Sequence, residues 1–547
     1  MNLSLFLRGF VVLIFFTAFA LEKINAQSYR YVVLFKDKVG TTFSTSTPEA
    51  YLSERALTRR QKQGIAITEK DLPVSQVYLD SIEAEGIEVL YTTKWLNGAL
   101  LEFDTEQELD KLNGFSFIKK HNFNFGVLSL AEVLTYTETV QASKSTQSDT
   151  IDYGYTFEQL SMLGVPAMHA AGFTGKGMMI AVFDAGFRNV DDISAFDSLR
   201  AHNRIVNTYD FVEREENVFD DHDHGTKVLS VIAANLPNNL VGAAFEASYV
   251  LLRSEEVANE SRLEEFYWLL AAEYADSLGV DIINSSLGYN IFDDAVDNYN
   301  QADLDGESAL ITIAADLAAS TGMLVVNSAG NEGNSSWGTL TPPADADSIL
   351  TVGAVTAMQN YAGFSSIGPT TDGRIKPDVV ARGTSVAVSS SGGGITYSNG
   401  TSFSTPLISG LAAGIWQANP DFTNMELINT IKLIASQSES ADNQVGYGVP
   451  DFTKLLPKVG LEDKEIEVSV ELFPNPTQAG FAMVFPKVLE GREIKLRVFS
   501  ASGQLLIDKM HRINQNKIDV EQLHAKGLLL IKVEGKGISI SKRLLSN

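Results

Sequence analysis

The chain of 547 residues contains no cysteine, which excludes disulfides, thiolate metal sites and cysteine nucleophiles together. It is also short of positive charge. Its 42 Lys and Arg stand against 68 Asp and Glu, a formal net charge of −26. No basic surface suited to a phosphate backbone is evident, so nucleic acid is excluded as a partner. Long apolar runs are missing too. The stretch from Gly9-Phe10 to Leu21 is too short for a comfortable membrane span, and no other stretch approaches the ~18 apolar residues one needs. With Arg8 before it and Ala26-Gln27 after it, that stretch reads as a signal peptide over residues 1–26, with Ile24 bulkier than is usual near the cut. Export follows.

What is present is ordinary globular protein, 44% hydrophobic and 20% charged, long enough for two to four domains. Residues 27–126 alternate strands and helices. Strands are expected at Tyr29–Phe35, Ile87–Tyr91, Ala99–Phe103 and Ser116–Lys119, and helices at Pro48–Gln63, part of Asp71–Gly86, and Thr105–Leu112. That is a small α+β domain. Residues 127–150 form a linker, small and polar in the run Gln141–Thr150. From 151 to 458, short apolar strands (Met178–Phe183, Ser248–Leu252, Asp281–Asn284, Met323–Asn327, Ile349–Val355) alternate with helical patterns at Thr226–Asn235, Leu263–Leu278 and Glu307–Thr321. Strands apolar on both faces imply an α/β domain with a parallel sheet flanked by helices, its ligands bound beyond the strands' carboxyl ends. Residues 465–547 carry β-rich segments at Ile466–Leu472, Ile494–Phe499, Leu505–Asp508, Leu528–Val533 and Ile538–Leu544, with turns at Ser502-Gly503 and Lys536-Gly537. They read as a small all-β sandwich.

Four segments of the middle block carry chemistry. Asp184-Ala185-Gly186 puts a carboxylate at a strand's carboxyl end, where an Asx-turn would also use it. His222-Asp223-His224-Gly225-Thr226 opens an amphipathic helix through Val228, Val231 and Ile232. A metal site using Asp220, Asp221 and His222 competes with a catalytic base at His224. Asn331, in Ala329-Gly330-Asn331, is either a turn residue or an amide able to donate to an oxyanion. Gly400-Thr401-Ser402 precedes an apolar helix, where it is either a cap or a nucleophile beside a positive helix end. The order Asp184, His224, Asn331, Ser402 matches the Asp, His, Ser order of subtilisin, distinct from those of chymotrypsin and the α/β-hydrolases.

These residues resemble the subtilisin-like serine protease family. The matching motifs are Asp-x-Gly at 184–186, His-Gly-Thr at 224–226, Ala-Gly-Asn at 329–331 and Gly-Thr-Ser-x-x-x-Pro at 400–406. Phe364-Ser365-Ser366-Ile367-Gly368-Pro369 and Lys376-Pro377-Asp378-Val379 add to the match. The resemblance implies a catalytic Asp184, His224 and Ser402, an oxyanion donor at Asn331, and a substrate-binding segment at Ser286, Leu287 and Gly288. The chain departs from the family pattern at Ala185 (usually Ser or Thr), Lys227, Tyr289 and Arg382. None of these removes a reacting group.

The first block, with Leu52-Ser53-Glu54-Arg55-Ala56 and Asp71-Leu72-Pro73-Val74-Ser75, resembles an inhibitory propeptide of the family's exported branch. The last, with Phe473-Pro474-Asn475-Pro476, Ser502-Gly503-Gln504 and Lys542-Arg543-Leu544-Leu545, resembles a type IX secretion sorting domain, with Gly527-Leu528-Leu529 replacing the usual Gly-x-Tyr. The resemblance therefore implies a secreted or cell-surface serine endopeptidase, self-processed, exported through the periplasm. Its implied partners are peptide or protein substrates, its own propeptide and the secretion machinery. No cofactor is needed for the chemistry, while structural calcium, common in the family, has no ligands assignable from sequence. The alternatives are an adhesion or binding protein on a dead protease scaffold, a peptide ligase using the same triad, and a metal-dependent hydrolase.

Overall fold

A computed structural model describes residues 29–119, 151–456, 470–477, 480–486, 490–500, 504–514, 516–520, 525–535 and 538–546. The signal peptide and the linker fall outside these residues, as do the turns at Ser502-Gly503 and Lys536-Gly537. The chain divides into two compact units, residues 1–455 and 456–547.

In the first unit, residues 29–119 form an antiparallel four-stranded sheet in the order Glu88–Thr93, Gly98–Phe103, Tyr29–Phe35, Ile118–Lys119. Alternation along Tyr29–Phe35 divides its side chains between two cores. Val33 and Phe35 pack with Ile82, Leu101 and Phe103 inside this domain. Val32 and Leu34 face the other way, with Leu100 and Trp95, into the core of residues 151–456. The helix expected over Pro48–Gln63 is broken. A 3-10 turn at Pro48–Ala50 is followed by an α-helix, Glu54–Gln63, whose N-cap Ser53 accepts a bond from the Ala56 N–H and whose C-cap Gly64 has φ 70°. Thr105–Leu112 is not α-helical either. The 3-10 helix Glu106–Gly114 stands there, with none of its residues fully buried and Leu109 and Leu112 packed partly buried against the domain's core.

Residues 151–456 contain a seven-stranded parallel sheet. Its order is Val379–Arg382, Leu350–Val355, Leu324–Ser328, Ile282–Ser285, Met179–Asp184, Ser248–Arg253, Ile205–Asp210. The five strands read from sequence form its centre. Both edge strands escaped notice: Ile205–Asp210 is half polar and part-exposed, and Val379–Arg382 has only four residues. Ala181, Phe183, Ile283 and Val325 pack on one face against helices Arg262–Leu278 and Leu310–Ser320. Helices His224–Ala233 and Thr401–Ala418 pack together, the first against Met179–Asp184 and the second against the four strands from Ile282–Ser285 to Val379–Arg382. A further helix, Asn424–Leu433, was not read from the sequence.

The second unit is the expected β structure. A three-stranded antiparallel sheet (Glu471–Phe473, Phe481–Val484, Lys517–Val520) and a four-stranded one (Leu505–Arg512, Glu493–Ser500, Gly527–Gly535, Ile538–Ser546) share a core including Phe481, Met483, Leu496, Val498, Leu529 and Leu544. Phe481–Val484 and Lys517–Val520 are additional to the strands expected.

Candidate active site

Asp184 is the last residue of its strand and is fully buried. The chain turns away through Gly186 at φ 142°, where a β-carbon would meet the backbone N of His222 at 2.7 Å. The turn thereby lies directly against the loop that leads to His224. Gly225 serves the same approach from the other side: a β-carbon there would meet the Gly186 carbonyl oxygen at 2.4 Å and the Asp184 β-carbon at 2.9 Å. Glycine at 186 and 225 is therefore what lets the start of helix His224–Ala233 close onto Asp184.

His224 Nδ1 and Asp184 Oδ1 are 2.8 Å apart. A carboxylate only accepts, so Nδ1 carries the proton and Nε2 is left as the basic nitrogen. The same Oδ1 accepts the Ala185 N–H at 2.8 Å. Oδ2 is buried and, among the described residues, has no hydrogen-bond partner. Burial pulls the His224 pKa down, but the Asp184 charge and hydrogen bond outweigh it, and the imidazole titrates above the ordinary 6.5.

Ser402 is the second residue of helix Thr401–Ala418 and is buried to 7% exposure. Gly400 precedes the helix at φ 146°, a conformation open to glycine. The neighbouring Phe403 ring packs on the His224 ring with centroids 5.7 Å apart. The Ser402 hydroxyl is directed to the Ser286 carbonyl oxygen at 3.4 Å, and among the described hydrogen bonds none joins it to His224. Catalytic bonds of this kind are commonly long before substrate binds.

Asn331 is exposed at the end of Leu324–Ser328. Its Oδ1 accepts the Thr401 N–H at 2.9 Å and the Thr401 hydroxyl at 3.1 Å. An N–H can only donate, so the amide's orientation is fixed and its NH2 is the end left free to donate elsewhere. Ser286, Leu287 and Gly288 follow strand Ile282–Ser285 without joining a ladder. Ser286 also donates to the Ser402 carbonyl at 2.9 Å, and the Leu287 carbonyl accepts from Asn327 Nδ2 and Ser328 Oγ, each at 3.2 Å. Gly288 abuts Thr341, whose hydroxyl oxygen would lie 2.2 Å from an added β-carbon.

The residues of the metal alternative are engaged elsewhere. Asp220 accepts from Asn217 at 2.7 Å, Asp221 pairs with Arg253 at 3.2 Å, and Asp223 pairs with Lys227 at 2.8 Å. His222 Nδ1 faces the His224 N–H at 3.3 Å. Among the described residues no group of three or more His, Asp or Glu is arranged to hold a metal ion.

Three features of the site were not read from sequence. Arg253, opposite Asp184 on the adjacent strand, binds Asp210 at 2.7 Å as well as Asp221, and so anchors the loop before His224. Thr401 orients Asn331. Glu255 is buried and accepts a short hydrogen bond from Tyr289, the residue after the Ser286–Gly288 segment. The run Arg253-Ser254-Glu255-Glu256 directly after an apolar strand was the available signal.

The subtilase family model matches residues 175–448, and a model of the peptidase S8 propeptide domain of Bacteroidota matches residues 30–145. The chain is 32% identical to subtilisin NAT of Bacillus subtilis subsp. natto over 280 residues, 51% of this chain and 65% of that protein. It is also 32% identical to subtilisin of Bacillus pumilus over 280 residues, covering 90% of that protein. Among solved structures, MycP1 from Mycobacterium smegmatis is similar with a TM-score of 0.44 and 24% identity, over 60% of this chain and 91% of that one. By its matched family model and its subtilisin relatives, this chain belongs to the subtilase family.

Proposed function

We propose that the protein is a secreted serine endopeptidase made as a self-processed precursor. The observation that carries this reading is the Asp184–His224 hydrogen bond, set beside the helix that bears Ser402. Ser402 Oγ attacks the scissile carbonyl, and His224 Nε2 takes its proton and later returns it to the leaving amine. Asp184 holds the tautomer and stabilises the imidazolium. The free NH2 of Asn331 and the Ser402 N–H donate to the oxyanion. Ser286–Gly288, outside any ladder, accepts extended substrate as an added strand.

In this reading residues 27–126 are an inhibitory propeptide, 127–150 a linker and 151–458 the peptidase domain. The sandwich at 465–547 is the sorting domain engaged by the secretion machinery. The reaction uses no cofactor, and structural calcium is assigned no ligands.

Substitution Ser402→Ala tests the reading. The full chain is expected to accumulate as an uncleaved, folded precursor that a fluorophosphonate no longer labels. Normal processing and peptidase activity in that variant would overturn the assignment. Chelator-sensitive activity indifferent to Ser402→Ala would instead establish the metal hydrolase.

A further inference from the structure

Gly400 and Thr401, the two residues before Ser402, are each held through the backbone N–H. The Thr401 N–H goes to Asn331, and the Gly400 N–H donates to the Gly383 carbonyl at 2.9 Å. Gly383 opens the loop 383–385, which joins edge strand Val379–Arg382 to a hairpin of Val386–Ser389 and Ile395–Ser398. The hairpin returns the chain to Asn399 and Gly400, beside the loop. A second bond joins the two: the Ser385 N–H donates to Asn399 Oδ1 at 2.7 Å. Gly383 is also wedged between sheet and helix, where an added β-carbon would meet Ala354 Cβ at 2.4 Å and Ser404 Oγ at 2.6 Å. A shift of this loop therefore moves the backbone that presents Ser402.

The loop lies outside any ladder, and Ser385 stands in it at φ 48°, a conformation that costs energy for a residue with a β-carbon. The hairpin has its own anchors. The Gln159 amide bonds both the N–H and the carbonyl of Ala387, and Ser230 accepts the Ser389 N–H. The loop itself is held by Arg382, one of the departures from the family pattern. Arg382 Nε donates to the Thr384 carbonyl and Nη2 to the Ser385 carbonyl, each at 3.0 Å, and among the described hydrogen bonds neither carbonyl has another donor. A planar guanidinium fixes two acceptors at once, which a point charge on a flexible stem does not. The third contact, from Nη1 to Glu158 at 3.1 Å, meets a carboxylate that is 77% exposed. Ion pairs of that kind contribute little.

We propose that Arg382 is a positioning residue for the reaction at Ser402: its fork across Thr384 and Ser385 sets the loop that fixes Asn399 and Gly400, and through them the direction of the Ser402 hydroxyl and N–H. The proposal rests on the reading of Ser402 as the nucleophile. Ser385 is exposed and Thr384 half-buried, so water takes over their carbonyls when the guanidinium is removed. The loss then falls on rate rather than on stability.

The test compares Arg382→Gln, Arg382→Lys and Glu158→Gln in the full chain, each left to process itself and counted by fluorophosphonate titration of active sites. Both Arg382 variants are expected to lose roughly 10- to 100-fold in kcat, the scale of a displaced reacting group, with KM and melting temperature unchanged. Glu158→Gln should keep the parent's kcat. Parental kcat in Arg382→Lys overturns the proposal, because charge alone would then suffice. A loss confined to KM overturns it too, as does a loss in Glu158→Gln equal to that in Arg382→Lys. Where the Arg382 variants do not fold or process, Asn399→Ala decides from the other end of the loop, at an exposed residue. Lower kcat at unchanged KM supports the proposal, and parental kcat overturns it. A parent chain that the fluorophosphonate fails to label overturns the reading of Ser402 and the proposal with it. A labelled, active parent beside an unaffected Arg382→Lys overturns the proposal alone.

Discussion

The hydroxyl of Ser286 donates to the backbone carbonyl of Ser402 at 2.9 Å. In an uninterrupted α-helix that carbonyl would bind the N–H of residue 406, but residue 406 is proline and has none. Ser286 supplies the missing donor and so ties the peptide of the proposed nucleophile to the proposed substrate segment. Ser286→Ala is expected to orphan a buried carbonyl, at about 1–3 kcal/mol, and to lower both melting temperature and kcat/KM. Pro406→Ala returns an N–H to the helix. The double variant should then lose less stability than the sum of the two single changes. Strict additivity in thermal melts would mean that the two groups do not serve the same carbonyl.

Asn331 allows its structural and catalytic roles to be separated. Asn331→Asp keeps the acceptor that binds the Thr401 N–H and hydroxyl, but removes the donor and adds a charge that repels an oxyanion. Expected is a loss of at least about 10²-fold in kcat with little change in melting temperature. Removing the oxyanion-hole amide of subtilisin, a family relative, costs about 10²–10³. Full activity in the variant would eliminate Asn331 as the oxyanion donor.

The raised pKa of His224 sets opposite trends for activity and stability. As the proposed base, His224 works only when neutral, so kcat/KM should fall as pH drops through a value above 6.5. The imidazolium is held more tightly folded than unfolded. Its stabilising contribution is therefore complete below the unfolded value and is lost as pH rises through the folded one. Asp184→Asn should move the acid limb of the rate profile downward and lower kcat on the order of 10⁴, by freeing the wrong tautomer. An acid limb at the same pH in both proteins would show that Asp184 does not control the base.

How much of this was legible depends on the range of the interactions. The turn at Gly186, the helix start at Gly225 and the cap at Gly400 each lie within a few residues of the group they position, and a motif of three to seven letters reports them. The five central strands were legible because burial on both faces leaves an apolar run. Edge strand Ile205–Asp210, with Asn207, Thr208 and Asp210, leaves none. Glu54–Gln63 carries a run of charges, and Arg59 and Arg60 among them are buried on partners such as Asp276, 217 residues away from Arg59. No local pattern reports a partner at that distance.

Beside Ala185, the buried Oδ2 of Asp184 has no hydrogen-bond partner among the described residues. A serine at residue 185 adds a hydroxyl able to donate to a carboxylate. Ala185→Ser is expected to raise the melting temperature by about 2–4 °C, corresponding to about 1 kcal/mol, with peptidase activity retained. A lower melting temperature would mean that the hydroxyl is itself buried without reaching the carboxylate.

Glu255 gives a pH signature on the other side of the site. Burial raises its pKa, and the charges of Glu260 and Asp184 add to the effect against the bonds from Tyr289 and Ser254. Glu264, on the adjoining helix, is raised in the same way, with Glu255 among its causes. A carboxyl whose folded value is raised holds its proton more tightly folded than unfolded, so stability falls as pH climbs from the ordinary value near 4.5 through the folded one. Glu255→Gln imitates the protonated form and still accepts from Tyr289. It should match the parent's melting temperature near pH 5 and exceed it at alkaline pH. Because Tyr289 adjoins Gly288, the parent's KM should also rise with pH on a profile separate from the His224 limb of kcat. The variant should flatten that rise. Melting curves that keep the parent's pH dependence after the substitution would place the titrating charge elsewhere in the fold.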